Sequence, residues 1–310
     1  MKMKLLRAAG IAGILGGALV GKVAYADEVG MAFSPLSLDI PALKGLSEAV
    51  KRVGSDQGYD VVVLDPKFDA PTQAQQLNQL FGTGRVKAAW VIAVNPGAMG
   101  GVIDTVHDNG GVVLVNGEPK DYGFDGMVPG VSFGKIDYEG YGAITGALGG
   151  ECANKDFGGK GKALLIGMKE GTAGKAEIEG TMEKKLTEVA PGVDVVASII
   201  ATERADALTK VSQVLQAHPD LNIVVSANDE GALGAMGAFE AAGNKSTCIV
   251  ASGGNDEVLK SIGDSHLYGA AALNFKGDMV QTFETIAEML KDPSAPGKQL
   301  YVPMEKKERP

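Results

Sequence analysis

The chain is poor in cysteine, histidine and aromatic residues, and each shortage removes a class of chemistry. Two Cys, three His and one Trp occur in 310 residues, and aromatics make up 5%. His107, His218 and His266 are scattered, and neither Cys stands in a C-x-x-C or H-x-x-x-H spacing, so no metal site is expected. No G-x-G-x-x-G follows an apolar run, and no G-x-S-x-G elbow occurs, so neither a dinucleotide site nor a serine nucleophile is indicated. Gly171–Lys175 (GTAGK) fails as a phosphate loop, because Lys169 stands where the first Gly belongs and Ala176 where Ser or Thr belongs. Asp229 and Glu230 are adjacent at a helix start, where helix capping explains them better than paired acid–base work. The expectation is a protein that is not an enzyme and carries no cofactor. Basic residues are also short: 29 Lys and Arg against 38 Asp and Glu give a formal charge of -9. Such a chain is a poor partner for nucleic acid or an anionic membrane surface.

What is present begins with residues 1–26. Lys2, Lys4 and Arg7 precede an uncharged stretch from Ala8 to Gly21, and Ala24-Tyr25-Ala26 supplies small residues at a cleavage site before Asp27. This pattern predicts a cleaved signal peptide and a periplasmic location, since the apolar run is shorter than the roughly 20 residues a spanning helix needs. Its removal takes four cations and no acid, so the mature chain of 284 residues would carry a formal charge of -13. That length exceeds one typical core and suggests two lobes. In an oxidising compartment Cys152 and Cys248 are expected to form a disulfide. Cys152 lies near a helix end and Cys248 at a strand start, which in a βα lobe share the face away from the ligand cleft.

Fully apolar runs alternate with helical periodicity along the rest. Strands are predicted at 29–33, 60–64, 88–94, 111–115, 162–167, 193–200, 222–226, 248–251 and 268–273. Helices are predicted at 41–53, 72–80, 101–109, 138–152, 175–188, 206–216, 230–242, 256–262 and 276–290. Apolar strands separated by helices imply parallel sheets covered on both faces. The fold class is therefore α/β, with two doubly wound parallel-sheet lobes joined by a hinge. The expected division is 27–133 plus 275–297 for the N-terminal lobe, and 134–274 plus 298–310 for the C-terminal lobe, the chain ending in a polar tail.

Ligands of such sheets bind beyond the carboxyl ends of the strands. Amides and hydroxyls dominate there, among them Ser34, Asn95, Asn116, Asn228, Asn255 and Asn274. An Asn side chain both donates and accepts, so several around one cleft suit a polyhydroxylated ligand. The same residues after a strand also make turns. Trp90 is placed early in its predicted strand, where packing explains it better than stacking on a sugar.

The segments Asp60–Asp65, Asn95-Pro96, Gly171–Gly174 with Glu179-Gly180, Ala217–Asp220, and Asn228–Glu230 with Ala232–Ala235 occur in an order that resembles type I periplasmic solute-binding proteins of the ribose-type sugar family. That resemblance implies the two-lobe fold, a small sugar or polyol as ligand, ABC importer membrane subunits as partners, and a monomer. An alternative is a sensor that presents its solute to a chemoreceptor or other signalling protein. The resemblance puts a sugar-contacting Asn on Asn228 and the family's ligand-binding Arg on Lys175. It puts the family's paired Asp-Arg on Asn116-Gly117, a later Asp near Gly253, and its two stacking aromatics on Leu38 and Asp39. With those aromatics and charges replaced, the implied ligand is a shorter polyol, or a sugar acid drawn to Lys175. The calcium loop of galactose-type relatives is missing. The predicted ligand-binding set is Ser34, Asp39, Asn95, Asn116, Lys175, Asn228, Asn255 and Asn274.

Overall fold

A computed structural model describes residues 28–244, 248–263 and 266–310; the predicted signal peptide lies outside them. Two six-stranded sheets organise the chain. The first contains β1 (Val29–Ser34), β2 (Tyr59–Val63), β3 (Ala88–Val91), β4 (Val112–Asn116), β5 (Val131–Lys135) and β11 (Gln299–Tyr301), in the order β11-β5-β4-β3-β1-β2. Every neighbouring pair in it is parallel. The second contains β6 (Lys160–Gly167), β7 (Gly192–Ile200), β8 (Leu221–Ser226), β9 (Cys248–Gly253), β10 (Leu267–Leu273) and β12 (Met304–Glu308), in the order β12-β10-β9-β8-β6-β7. Only β12 runs antiparallel, along β10.

Each sheet is buried on both faces. Met31, Phe33, Trp90 and Leu114 pack on one side of the first sheet, and Ala32, Val91, Val113 and Val115 on the other. Leu165, Val225 and Val250 divide from Leu164, Val224 and Ile249 in the same way in the second. This two-sided burial is why the strands read as unbroken apolar runs. The strands β5, β11 and β12 escaped the sequence reading for different reasons. β5 (VSFGK) follows a glycine- and proline-rich stretch, β11 is three residues long, and β12 (MEKKE) is a charged edge. Charges on an edge strand discourage pairing with another chain.

The helices are α1 (Pro41–Asp56), α2 (Ala70–Gly82), α3 (Gly100–Asp108), α4 (Tyr138–Phe157), α5 (Lys175–Val189), α6 (Arg204–Ala217), α7 (Asp229–Ala241), α8 (Asp256–Ser261) and α9 (Phe275–Lys291). Among the described residues none is long and apolar enough to cross a membrane. The chain passes between the sheets three times: from β5 into α4, from β10 into α9, and from β11 into β12. The expected boundary at 133/134 cuts through β5, and that at 297/298 precedes β11. Residues 134, 135 and 299–301 therefore sit in the first sheet, because their backbones complete its ladder.

Helices α4 and α5 approach closely because α4 is lined with glycine. A Cβ on Gly142 would strike the Ile178 carbonyl and Thr181, and one on Gly146 the Met182 carbonyl. A Cβ on Gly150 would lie 2.7 Å from Val189 Cβ. Glycines four residues apart fall on one helix face, and α5 lies against that face. Further along α4, Cys152 is joined by a disulfide to Cys248, the first residue of β9, with Cα atoms 5.7 Å apart. The predicted bond is therefore present within the second lobe, and both cysteines are fully buried.

Candidate functional site

The carboxyl ends of the first sheet's strands open onto a cleft of about 930 Å³ beside the three crossings. That is within the usual range for small-molecule sites. Trp90, Leu114 and Asn116 line it from β3 and β4, Ile92 from just beyond β3, and Lys135 to Glu139 from the first crossing. Phe275, Asp278 and Thr282 line it from α9, Tyr301 and Val302 from the last crossing, and Glu177 from α5. Both lobes thus contribute to one cavity.

Asn116 is the member of the predicted set that lines this cleft. Its Oδ1 accepts from the Ala93 amide at 2.7 Å, and the Tyr122 hydroxyl donates chiefly to its backbone carbonyl at 2.5 Å, with Oδ1 at 3.3 Å. Burial pushes the Tyr122 hydroxyl pKa up, so it stays protonated as a donor. No acceptor for Asn116 Nδ2 occurs among the described residues, which leaves an N–H pair available at the cleft.

The other predicted residues are elsewhere, and most are engaged with the chain itself. Ser34 is fully buried and accepts from Gln73 Nε2 at 2.9 Å. Gln73 also donates to the Ile92 carbonyl and accepts from the Val94 amide, tying α2 to the ends of β1 and β3. The exposed Asp39 follows β1, its amide donating to Ser37 Oγ. Asn95 accepts from the Gly97 amide at the start of a short 3-10 turn. Asn228, Asn255 and Asn274 are the N-caps of α7, α8 and α9, accepting from Gly231, Val258 and Gly277. Asn228 Nδ2 also donates to the Ala201 carbonyl, and Asn274 Nδ2 to Glu305. The amides that follow strands here satisfy the open N–H groups of the next helix.

Lys175 is held by carboxylates. Its Nζ lies 2.5 Å from Glu179 and 3.5 Å from Glu170, and these partners, Glu179 foremost, raise its pKa. Asn228 rather than Asp229 caps α7, while Asp229 accepts from the Gly254 and Asn255 amides and Glu230 pairs with Arg204. The adjacent acids therefore serve separate structural contacts, and the helix capping expected of them is done by Asn228 instead.

Several cleft residues carried no sequence signal. Trp90 was expected far from the strand end, but β3 stops at Val91, so the ring stands at the cleft, edge-on to Phe33 with centroids 5.2 Å apart. The Tyr138 ring is backed by Gly174, whose φ is +72° and where any Cβ would collide with the ring. Glu118 binds Lys120 at 2.6 Å and Lys135 at 2.5 Å. These contacts, Lys120 first, hold its carboxyl down to about 2. Because the pKa is lowered, the stability this cluster adds is present above the ordinary 4.5 and fades only as pH falls toward 2.

Asp278 has the opposite character. It is half-buried on the first turn of α9, and burial pushes its carboxyl pKa up against the hydrogen bond that lowers it. That bond runs from Gln281 Nε2 to Oδ1 at 2.8 Å. Among the described residues Oδ2 receives no donor. A raised carboxyl pKa means the fold is favoured at low pH, and that contribution is lost as pH rises through the raised value.

Two doubly wound lobes, three crossings and a shared polar and aromatic cavity define a two-lobe binding protein that holds its ligand between sheets. The chain matches the family described as periplasmic binding protein domain over residues 31–294, and it belongs to that family. It is similar to the ribose import binding protein RbsB of Bacillus subtilis (strain 168), 26% identical over 256 residues, covering 79% of this chain and 76% of that one. It is also similar to the D-apiose import binding protein of Actinobacillus succinogenes, 27% identical over 284 residues, covering 90% and 86%. Among solved structures it shares its fold with a solute-binding protein of Mycobacterium smegmatis with bound glycerol, at TM-score 0.63 and 21% identity, covering 90% and 94%. A solute-binding protein of Actinobacillus succinogenes 130Z with bound D-allose aligns at TM-score 0.68 and 17% identity, covering 90% and 96%.

Proposed function

We propose that the protein is the exported solute-binding component of an ABC importer and that it binds a small sugar or polyol in the cleft. The observation that carries this reading is the cleft itself. It is lined from both lobes and the crossings by aromatic, amide, hydroxyl and carboxylate groups. Its sugar-importing relatives support the ligand class and the membrane partner. A ligand that touches both lobes favours the closed arrangement by its differential contacts, and no bond is made or broken. Asn116 is the ligand contact carried forward from the sequence. The other seven predicted residues would meet a ligand only if closure brings them to the cleft.

A thermal-shift screen against pentoses, hexoses and linear polyols tests the reading. A true ligand at a hundred times its dissociation constant adds about 2.7 kcal/mol of stability. The absence of any shift across the panel at millimolar concentration would remove the proposed ligand class. A periplasmic location through a cleaved signal peptide belongs to the same proposal. N-terminal sequencing of the exported protein is then expected to read from Asp27, and a sequence starting at Met1 would count against export by cleavage.

A further inference from the structure

We propose that the cleft selects uncharged polyols over sugar acids and that Asp278 is the side chain that makes this selection. The inference rests on the cleft being the ligand site, as argued above. It begins with the charges of the lining. Two ammonium groups reach the cleft, Lys120 and Lys135, and both are bound to Glu118. Against them stand six carboxylates. The lysine that a sugar acid would have sought, Lys175, lies outside the lining and is held by Glu170 and Glu179. An anionic ligand would meet repulsion here with no free counter-charge, which penalises its charged form.

The six carboxylates are not equivalent. Glu118 is neutralised by its lysines. Asp121 accepts from the Glu118 amide at 2.9 Å, and Asp137 caps α4 by accepting from the Gly140 amide at 3.0 Å. Glu139 and Glu177 are exposed, where water serves them. Asp278 and Asp137 are both partly buried with one oxygen that no donor among the described residues reaches. Asp137 spends its other oxygen on capping a helix, whereas Asp278 meets only the Gln281 side chain and sits beside the apolar lining from α9. A half-buried carboxylate with an unmet acceptor is costly unless a ligand supplies the donors. Hydroxyls supply them, and a carboxylate can accept from two adjacent ones.

The surroundings of Asp278 fit the rest of such a ligand. Trp90, Leu114, Leu43 and Leu46 line the same cavity and offer apolar surface to C–H groups. Asn116 offers N–H donors to hydroxyl oxygens. A chain of carbons bearing hydroxyls has both surfaces. A carboxylate in place of a terminal hydroxyl would bring a second negative charge toward Asp278.

Calorimetric titration of the whole mature protein with xylitol and erythritol, and with xylonate and erythronate, tests this. The wild type is expected to bind a polyol at least about tenfold more tightly than the aldonate of the same length. Asp278→Asn and Asp278→Ala are each expected to weaken polyol binding about tenfold or more and to narrow the gap to the aldonate. The melting temperature of unliganded Asp278→Asn should not fall below that of the wild type, since a charge disfavoured by burial has been removed. Polyol binding that survives both substitutions, or an aldonate bound as tightly as its polyol by the wild type, would overturn the inference. If no polyol, pentose or hexose binds the wild type, the reading of the cleft as a sugar site fails first, which is a distinguishable result.

Discussion

Replacing Cys152 and Cys248 together by alanine is expected to lower stability by about 3–5 kcal/mol while leaving ligand affinity within about twofold. The two residues are 96 positions apart, so the bond removes much of the freedom of the unfolded second lobe. The chain-entropy model gives more than 4 kcal/mol for a loop of roughly this size, although measured gains are often smaller. Loss of two buried sulfurs adds a packing cost. Affinity should be spared because Cys152 lies about four turns along α4 from the crossing at Asp137, and Cys248 begins β9 at the end opposite the cleft. Thermal melts with and without reductant, each with a calorimetric titration, check both halves. An unchanged melting temperature would mean that the bond contributes nothing. A loss of affinity without a loss of stability would place it in the binding machinery.

The second large effect is expected at Gly146. Valine there should cost about 3 kcal/mol or more, and the protein should be recovered mainly as aggregate. The added Cβ meets a backbone carbonyl, that of Met182, which cannot swing aside as a side chain could. Relief requires α4 and α5 to separate, and that opens the core formed by Leu148, Met182 and Leu186. Gly180, on α5 with nothing within 4 Å of its would-be Cβ, is the control. Alanine at Gly180 should raise stability by about 0.5–1 kcal/mol through its better helix propensity. Denaturant melts of the two variants decide between helix propensity and close approach. If both respond alike, close packing of the two helices is not what the glycines provide.

The alternation of apolar strands and amphipathic helices was legible because both sheets are covered on both faces. It failed where that rule lapses, as at the charged edge β12. It also overran at β3. Ala93 and Val94 read as a continuation of the strand, but their amides are taken by Asn116 Oδ1 and Gln73 Oε1. Side chains distant in sequence end the ladder there, and no local pattern announces them. That error also put Trp90 on the wrong part of its strand.

The candidate site was less legible because two kinds of chemistry call for the same residues. An amide after a strand can hold a ligand hydroxyl or cap the following helix, and Asn255 and Asn274 are used as caps. Asp278 was invisible for a related reason. An acid in the first turn of a helix is expected from the helix dipole alone. Only the cavity around it, and the missing donor for Oδ2, separate it from such an acid. Lys175 carried a charge that looked available until the fold brought Glu170 and Glu179 to it.

The interleaving of the two lobes has a consequence for the order of their making. During synthesis from the N-terminus, all five parallel strands of the second sheet have emerged by Leu273, whereas the first sheet still lacks β11 and the helix α9 that covers it. The lobe begun first therefore waits for its covering helix until every parallel strand of the other has been made. Until then Met31, Phe33, Trp90 and Leu114 lack Met279, Phe283 and Ile286. A nascent chain of this protein carries a sheet face covered only by α1 throughout the time the parallel strands of its second lobe are being made. That face is where a holding chaperone would have to act.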